Sequence, residues 1–422
     1  MKLLNKFVEK ELELAHGCTE PGAVAYAVAA AASHLEGELR KITVKMDGFV
    51  YKNGMTTGIP GVKGARGNKV AAALGVLTSD FLNKKLQILS NLNDDTIKKA
   101  KKLLNFVNLE VVDSESLYIH AIIEGDNTVE SLIVNDHSNL NWVKVNGKMV
   151  FENDKMKRAE ANFNLADEFR DYSISDMIEL LENEFTEKHL DYLKKGLDYN
   201  LRLVEASKAG EARGIGKHYD KLSIENDTQQ IAALIAHGVD ARMSGVARPA
   251  LASSGSGNQG ITISLGIYFT GRYLEKEEIK IYKATMLGHL IAYYTKIYMG
   301  KLSSFCGLLF AAAPAILAGL LYLDDKNDKI EEGINNILSD SAGIFCDGAK
   351  SSCAFKAITA YDQAYRHYQF IKSGLNTQLP TGFVSDKLSK TLVNLRKLSM
   401  SEGDTINGTL FKIIENIFKD EV

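Results

Sequence analysis

Residues 302–323 read LSSFCGLLFAAAPAILAGLLYL, without one charged side chain. The run is long enough in principle to cross a bilayer. It is also rich in Ala and Gly and contains Pro314, and its flanks, Lys301 and Asp324-Asp325, carry no strong charge bias. Membrane helices usually show such a bias and a belt of aromatic residues at each end. These features favour a helix buried inside a helical domain over a membrane-spanning one.

The rest of the chain has the composition of an ordinary globular protein. Its 422 residues are 45% hydrophobic and 24% charged, and this length predicts two domains. A net charge of −3 provides no basic field for nucleic acid, so we expect neither a nucleic-acid nor a membrane partner. The first 14 residues are charged and amphipathic, unlike a secretion signal. We therefore expect a cytoplasmic protein whose four cysteines stay reduced.

The hydrophobic periodicities divide the chain into two parts. Residues 1–155 are predicted to mix helices and strands, with a small β-rich α+β unit over residues 85–153. Residues 156–422 are predicted to form a large, all-helical domain. The predicted fold class is therefore α+β. The sequence leaves the oligomeric state open, and a homo-oligomer is one alternative.

Three local expectations accompany this division. The amphipathic start predicts a helix over residues 1–14, and Asn53-Gly54 predicts a turn. Residues 174–208 are predicted to form one long helix.

Three of the four cysteines, Cys306, Cys346 and Cys353, lie late in the chain. Thiolates are soft ligands for iron–sulfur clusters, zinc or copper(I). The C-x-x-C pairs typical of closed structural sites are missing from the sequence. Three thiolates on a cubane cluster would leave one iron open as a Lewis acid. Buried structural thiols are the alternative, because cysteine is among the most buried residue types.

A glycine-rich segment, Gly255-Ser256-Gly257-Asn258-Gln259-Gly260, precedes an apolar helix. Backbone N–H groups at such a turn and helix start suit a carboxylate or a phosphate. It is not a P-loop, because the G-K-[ST] ending is missing. We expect an amino-acid carboxylate as its ligand, with a plain flexible turn as the alternative. A preceding Ser-Ser-Gly also occurs in pyridoxal-phosphate lyases, but those enzymes need an alternating βα scaffold that this sequence does not show.

Together with His16-Gly17-Cys18-Thr19-Glu20-Pro21, these segments resemble the L-cysteine desulfidase family, which is akin to the alpha part of iron–sulfur L-serine dehydratases. The resemblance covers almost the full chain. It implies a [4Fe–4S] cluster on the three late cysteines and Cys18 as the catalytic base. The implied reaction is the α,β-elimination of a small L-amino acid, namely L-cysteine to hydrogen sulfide, pyruvate and ammonia. The implied substrate-binding residues are Gly255, Ser256, Gly257, Asn258 and Gln259.

The residue that acts as the base has alternatives in the sequence. An α-hydrogen is a weak acid, so elimination needs a base within hydrogen-bond reach. His16 and the exposed N–H groups of a helix that starts near Pro21 would favour the Cys18 thiolate. The alternatives are a fourth cluster ligand or an inert thiol for Cys18, and a turn-capping role for His16. An iron–sulfur L-serine dehydratase and a non-catalytic metal- or cluster-binding sensor are the alternative functions.

Overall fold

The structure is a computed structural model that describes residues 2–16, 19–62, 65–78, 80–89, 92–114, 116–153, 165–222, 227–300, 302–375 and 380–399. These residues form two hydrophobic cores. One core is drawn from residues 23–143, and the other from residues 4–12 and 165–395. The predicted α+β class is confirmed. The proposed domain boundary near residue 155 lies outside the described residues, so the division into 1–155 and 156–422 stays a prediction.

The N-terminal part packs helices against one face of a six-stranded sheet. Buried Ile119, Ala121 and Ile123 alternate along one strand and face a helix that is almost entirely buried. The elements, in chain order, are α1 (Leu3–Glu11), β1 (Leu12–His16), α2 (Thr19–Ala32), β2 (Lys41–Asp47), α3 (Gly48–Gly54), α4 (Gly67–Val76), α5 (Phe81–Lys84), α6 (Asp94–Leu103), β3 (Val107–Val112), β4 (Tyr118–Glu124), β5 (Thr128–Val134), β6 (Leu140–Val145) and β7 (Lys148–Glu152).

The strand order of this sheet is β3-β2-β4-β5-β6-β7. Only β2 and β3 pair in parallel, and the other neighbours are antiparallel. The strands predicted within residues 85–153 therefore share their sheet with β2, which lies earlier in the chain. The small sheet is thus built into the N-terminal part through β2 rather than standing beside it.

The C-terminal part consists of layers of helices, and its central helices are buried on all sides. Its elements are α7 (Leu165–Arg170), α8 (Ile174–Glu184), α9 (Glu187–Lys208), α10 (Ile215–Asp220), α11 (Asp227–Met243), β8 (Pro249–Ser253), α12 (Gly257–Tyr273), α13 (Glu278–Met299), a π-helix (Leu308–Ala312), α14 (Ala313–Leu323), α15 (Ile330–Ser341), α16 (Cys353–Lys372) and α17 (Leu388–Ser399).

The uncharged run at residues 302–323 is buried within this part. Its π-helix and α14 are buried along their whole length and pack against α12, α13 and α16. Within the described ranges, no helix combines the length and the apolar composition needed to cross a membrane. The interpretation of this run as a buried helix is therefore confirmed.

Three local expectations need correction. The first helix ends at Glu11, because Leu12–His16 leaves it to pair antiparallel with β8, from Leu12 opposite Ser253 to His16 opposite Pro249. The C-terminal part is therefore not all-helical, because it contains β8, which pairs with this distant strand. The long helix expected over residues 174–208 is two helices, because a capping box at Thr186 starts α9 anew.

The Asn53-Gly54 turn is also wrong. These residues end helix α3, which is started by Asp47. The Asp47 carboxylate accepts hydrogen bonds from the N–H groups of Phe49 (2.8 Å) and Val50 (3.1 Å), so a helix cap competes successfully with the local turn signal.

Candidate active site

Cys306 and Cys346 are placed side by side by a short antiparallel bridge between their segments. The N–H of Cys306 donates to the carbonyl of Ile344, and the N–H of Cys346 donates to the carbonyl of Ser304, each at 2.7 Å. Immediately after this bridge the chain enters the π-helix, whose first turn is closed by the carbonyl of Cys306. π-Helical turns are rare and occur frequently at functional sites. Two of the three late cysteines thus have a fixed backbone register.

Cys353 reaches the same place from the first position of α16. Its thiol lies 3.7 Å from the carbonyl of Gly348, within the loop that connects it to Cys346. Gly348 has a φ of +105°, and a Cβ there would lie 2.5 Å from the carbonyl oxygen of Lys52. Only glycine allows this loop to approach α3 so closely.

Helix α3 and the residues after it form hydrogen bonds to the loop between Cys346 and Cys353, here called the cysteine loop. The buried Lys52 ammonium donates to the carbonyl of Cys346 at 2.7 Å. The hydroxyls of Thr56 and Thr57 donate to the carbonyl of Ala349 at 3.2 Å and 2.9 Å. The loop between two of the cysteines is therefore anchored by the N-terminal part of the chain.

The electrostatics of the cysteine group combine buried thiols with nearby lysines. Burial, together with the neighbouring thiols of Cys346 and Cys353, raises the pKa of Cys306 to about 12. Burial also raises the pKa of Cys353. Burial lowers the pKa of Lys52, against the attraction of Cys346. Burial opposes the charge of Lys356 too, but hydrogen bonding to Asp347 and the nearby Cys306 raise its pKa.

The three thiols open onto one cavity of about 120 Å³. Its walls come from α2, α3, α11, α12, α13 and the two cysteine segments. The polar or thiol-bearing lining residues are Thr19, Glu20, Asn53, Arg242, Ser256, Asn258, Gln259, Lys296, Ser303, Cys306, Cys346 and Cys353. The cavity therefore joins three thiols to a set of buried charged and amide side chains.

The glycine-rich segment forms a second wall of this cavity. Gly255, Ser256, Asn258 and Gln259 line it, and the Ser256 hydroxyl caps α12 by accepting from the N–H of Gln259 at 3.4 Å. The turn before α12 is held from α13, where the Lys296 ammonium donates to the carbonyl of Ser254 at 2.7 Å. This wall therefore presents the N-terminal end of a helix beside a buried cation.

Arg242 adds a second buried cation to the same wall. Its Nη1 donates to the Asn258 amide oxygen at 3.0 Å, and the side chain is only 4% exposed. Gly257 lies directly behind it, because a Cβ at Gly257 would be 2.3 Å from Arg242 Nε. The predicted substrate-binding segment is thus brought to the cavity, with Gly257 making room for a guanidinium.

Four charged or amide lining residues were not predicted from the sequence: Glu20, Asn53, Arg242 and Lys296. Glu20 stands in the His16–Pro21 motif, and that motif was a usable signal. Asn53 was interpreted as part of a turn, and Arg242 and Lys296 lie in helices without a distinguishing local pattern. Their convergence depends on tertiary packing.

The described part of the structure includes neither predicted catalytic side chain. Cys18 lies outside the described residues, and the side chain of His16 does too. Both assignments stay predictions. Among the described residues, no three His, Cys, Asp or Glu side chains are grouped closely enough to hold a single metal ion. A cubane cluster places its thiolates on different irons, so its ligand sulfurs lie farther apart than those around one ion.

Comparisons with known proteins agree on one family. A sequence model described as serine dehydratase alpha chain matches residues 83–408. A UPF0597 protein of Desulfotalea psychrophila is 34% identical over 97% of this chain and 98% of its own length. UPF0597 proteins of Kosmotoga olearia (33%, 99% of both chains) and Clostridium perfringens (30%, 98% of both chains) are similar to it as well. These matches confirm the predicted relation to the alpha part of iron–sulfur serine dehydratases, and the chain belongs to the serine dehydratase alpha chain family.

Proposed function

We propose that this protein is a lyase that eliminates the β-substituent of a small L-amino acid, with L-cysteine as the substrate and hydrogen sulfide, pyruvate and ammonia as the products. One observation carries the proposal: Cys306, Cys346 and Cys353 share a cavity with the glycine-rich segment. Family membership supports a dehydratase-like activity of the same reaction class.

The donor set fits a [4Fe–4S] cluster. Two buried cysteines, Cys306 and Cys353, and the half-buried Cys346 line one cavity, and soft thiolates are the ligands that such clusters take. Lys52 and Lys356 lie close enough to the thiols to interact with them electrostatically, and would offset the negative charge of three thiolates. When bound, the cluster supplies a Lewis acid for the leaving group through the iron that has no protein ligand.

The chain's own residues would bind and orient the substrate. The N–H groups at the start of α12, with Arg242 and Lys296, are donors suited to the substrate carboxylate. The cavity lining is largely buried, so these interactions take place where water competes little. Cys18 remains the proposed base for the α-hydrogen, and His16 the residue proposed to favour its thiolate.

L-Serine is the second candidate substrate, and the family description favours it. The two amino acids differ only in the β-atom. None of the described lining residues offers an evident preference for sulfur over oxygen, because both would leave through the same thiol-lined wall.

The test is anaerobic purification followed by metal analysis and assay. We expect brown protein with about four irons per chain and matching sulfide. L-Cysteine should yield sulfide, pyruvate and ammonia without added pyridoxal phosphate. Zinc in place of iron, or a pyridoxal absorbance band, would contradict the cluster. Turnover of L-serine but not of L-cysteine would reject the desulfidase activity and keep the lyase.

A further inference from the structure

We propose that Glu20 and Asn53 form the binding site for the substrate's α-ammonium group, so that the cavity selects zwitterionic α-amino acids over acids that lack the ammonium. This inference rests on the proposed function and assigns its substrate selectivity to named residues. It uses one acidic and one amide side chain that the sequence predictions did not assign to the site.

The two side chains are buried and already joined. Asn53 Nδ2 donates to Glu20 Oε1 at 3.0 Å, and the Thr19 hydroxyl donates to Glu20 Oε2 at 3.2 Å. Glu20 is 5% exposed and Asn53 is 8% exposed, and both line the cavity. The hydrogen bond fixes the Asn53 amide so that its nitrogen faces Glu20 and its oxygen is directed elsewhere.

The Asn53 amide oxygen is a hydrogen-bond acceptor that needs a donor. Asn53 Oδ1 is buried and has no hydrogen-bond partner among the described residues. Leaving a buried acceptor unpaired is costly, so native proteins rarely do it without a ligand or a water. An ammonium group carries three N–H donors and one positive charge. It would donate to the Asn53 oxygen and bring its positive charge beside the Glu20 carboxylate.

The charges of the cavity are arranged for a dipolar ligand. Arg242 and Lys296 bring positive charge from α11 and α13, whereas Glu20 brings negative charge from α2. An α-amino acid has an ammonium, a carboxylate and a β-substituent on one carbon. The cavity offers a matching Glu20–Asn53 pair, a cationic glycine-rich wall and a thiol wall. A ligand without the ammonium would leave the buried Asn53 amide oxygen without a donor, and unmatched buried polar groups are the strongest basis of discrimination.

The small sheet also reaches this pair. His137, in the turn between β5 and β6, is largely buried and places Nε2 4.0 Å from Glu20 Oε1. This contact packs the hairpin turn against the carboxylate from outside the cavity.

The experiment measures the binding of L-alanine and propionate to anaerobically prepared protein by calorimetry at millimolar concentrations. The two ligands differ only by the ammonium, and neither has a leaving group. The unchanged protein should bind L-alanine at least about 10-fold more tightly than propionate, as expected for hydrogen bonds to a charged group. Glu20→Gln should reduce L-alanine affinity about 10-fold or more and leave propionate affinity nearly unchanged.

Two further variants keep the test decisive. Asn53→Ala should show the same selective loss, and Glu38→Gln, at an exposed position outside the cavity, should bind both ligands like the unchanged protein. Melting temperatures report whether each variant is folded, and the ratio of the two affinities within one variant cancels any loss of folded protein. Equal loss of both ligands, or no loss of L-alanine binding in Glu20→Gln, would overturn the inference. Selective L-alanine binding without turnover would instead reject the proposed reaction alone.

Discussion

The Lys52 ammonium, in the first third of the N-terminal part, donates a 2.7 Å hydrogen bond to the backbone carbonyl of Cys346. Lys52 is only 2% exposed, so this carbonyl and this cation meet out of contact with bulk water. The bond ties the cysteine loop to helix α3 across 294 residues of sequence.

This contact predicts the effect of Lys52→Met. The variant removes the donor and leaves the Cys346 carbonyl without it, which should cost about 1–3 kcal/mol of unfolding free energy. The iron content of anaerobic protein should fall as well, because the loop that carries Cys346 loses its anchor. Chemical denaturation and iron analysis measure both effects. Lys98→Met, at an exposed lysine of α6, is the control and should change neither quantity. Normal iron content and stability in Lys52→Met would show that the anchor is dispensable.

Cys18→Ser tests the assignment of the base. A base can be lost without loss of the cluster, so the iron content should stay near normal while activity falls by about 10²–10⁴. Cys353→Ser is the matched comparison and should lose iron and activity together. If Cys18→Ser also loses its iron, Cys18 is a cluster ligand, and His16 becomes the first candidate for the base.

Gly257→Ala should impair substrate binding without disturbing the fold elsewhere. Its Cβ would lie 2.3 Å from Arg242 Nε, so the guanidinium must move away from Asn258. We expect an increase in KM of about 10-fold or more with a smaller change in kcat, because a carboxylate contact contributes mainly to binding. Gly343→Ala provides the control, since a Cβ there meets no atom within 4 Å. An unchanged KM in Gly257→Ala would remove Arg242 from the carboxylate site.

The pH dependence of stability should contain a contribution from Asp324, at the end of α14. Burial acts to raise its pKa, but Lys276 (2.8 Å), the Tyr368 hydroxyl (2.5 Å) and Lys372 (3.2 Å) lower it to about 2. Because the pKa is lower in the folded than in the unfolded chain, this stabilisation is present above about pH 4 and is lost between about pH 4 and pH 2.

Asp324→Asn should therefore reduce the free energy of unfolding by about 1 kcal/mol at pH 7, and the difference from the unchanged protein should vanish near pH 2. Denaturant titrations across this pH range measure it. The neighbouring Asp325, whose side chain is 80% exposed beside Lys280, supplies the control variant Asp325→Asn, which should lose much less. A pH-independent effect of Asp324→Asn would mean that packing, and not charge, is responsible.

The fold could be predicted from the sequence where the hydrophobic pattern of a segment matched its burial in the structure. The uncharged run ending in α14 is buried because all of its faces are apolar, and that property is visible in the sequence. Leu12–His16 was not predictable as a strand, because its pairing partner β8 lies more than 200 residues away. The local secondary-structure preference of Leu12–His16 does not identify its partner strand, and the tertiary pairing overrides that preference.

The candidate site shows the same limit. Cysteines and glycine-rich turns are chemically distinctive, so Cys306 and the Gly255 segment could be singled out from the sequence. Lys52, Asn53 and Lys296 are common residue types in helices. In the sequence, nothing distinguishes these three residues from solvent-exposed side chains. It is the packing of α3 and α13 that buries each of them at or beside the cavity.

The order in which the cavity walls occur along the chain has a consequence for biosynthesis. Asn53 is synthesised 300 residues before Cys353, and Glu20 is synthesised earlier still. Early segments can fold while the ribosome is still elongating, but the thiol wall cannot close against α3 until the segment that carries Cys353 has emerged. The proposed cluster would therefore be inserted only after both walls have been made, because its three thiols meet at one cavity only in the folded chain.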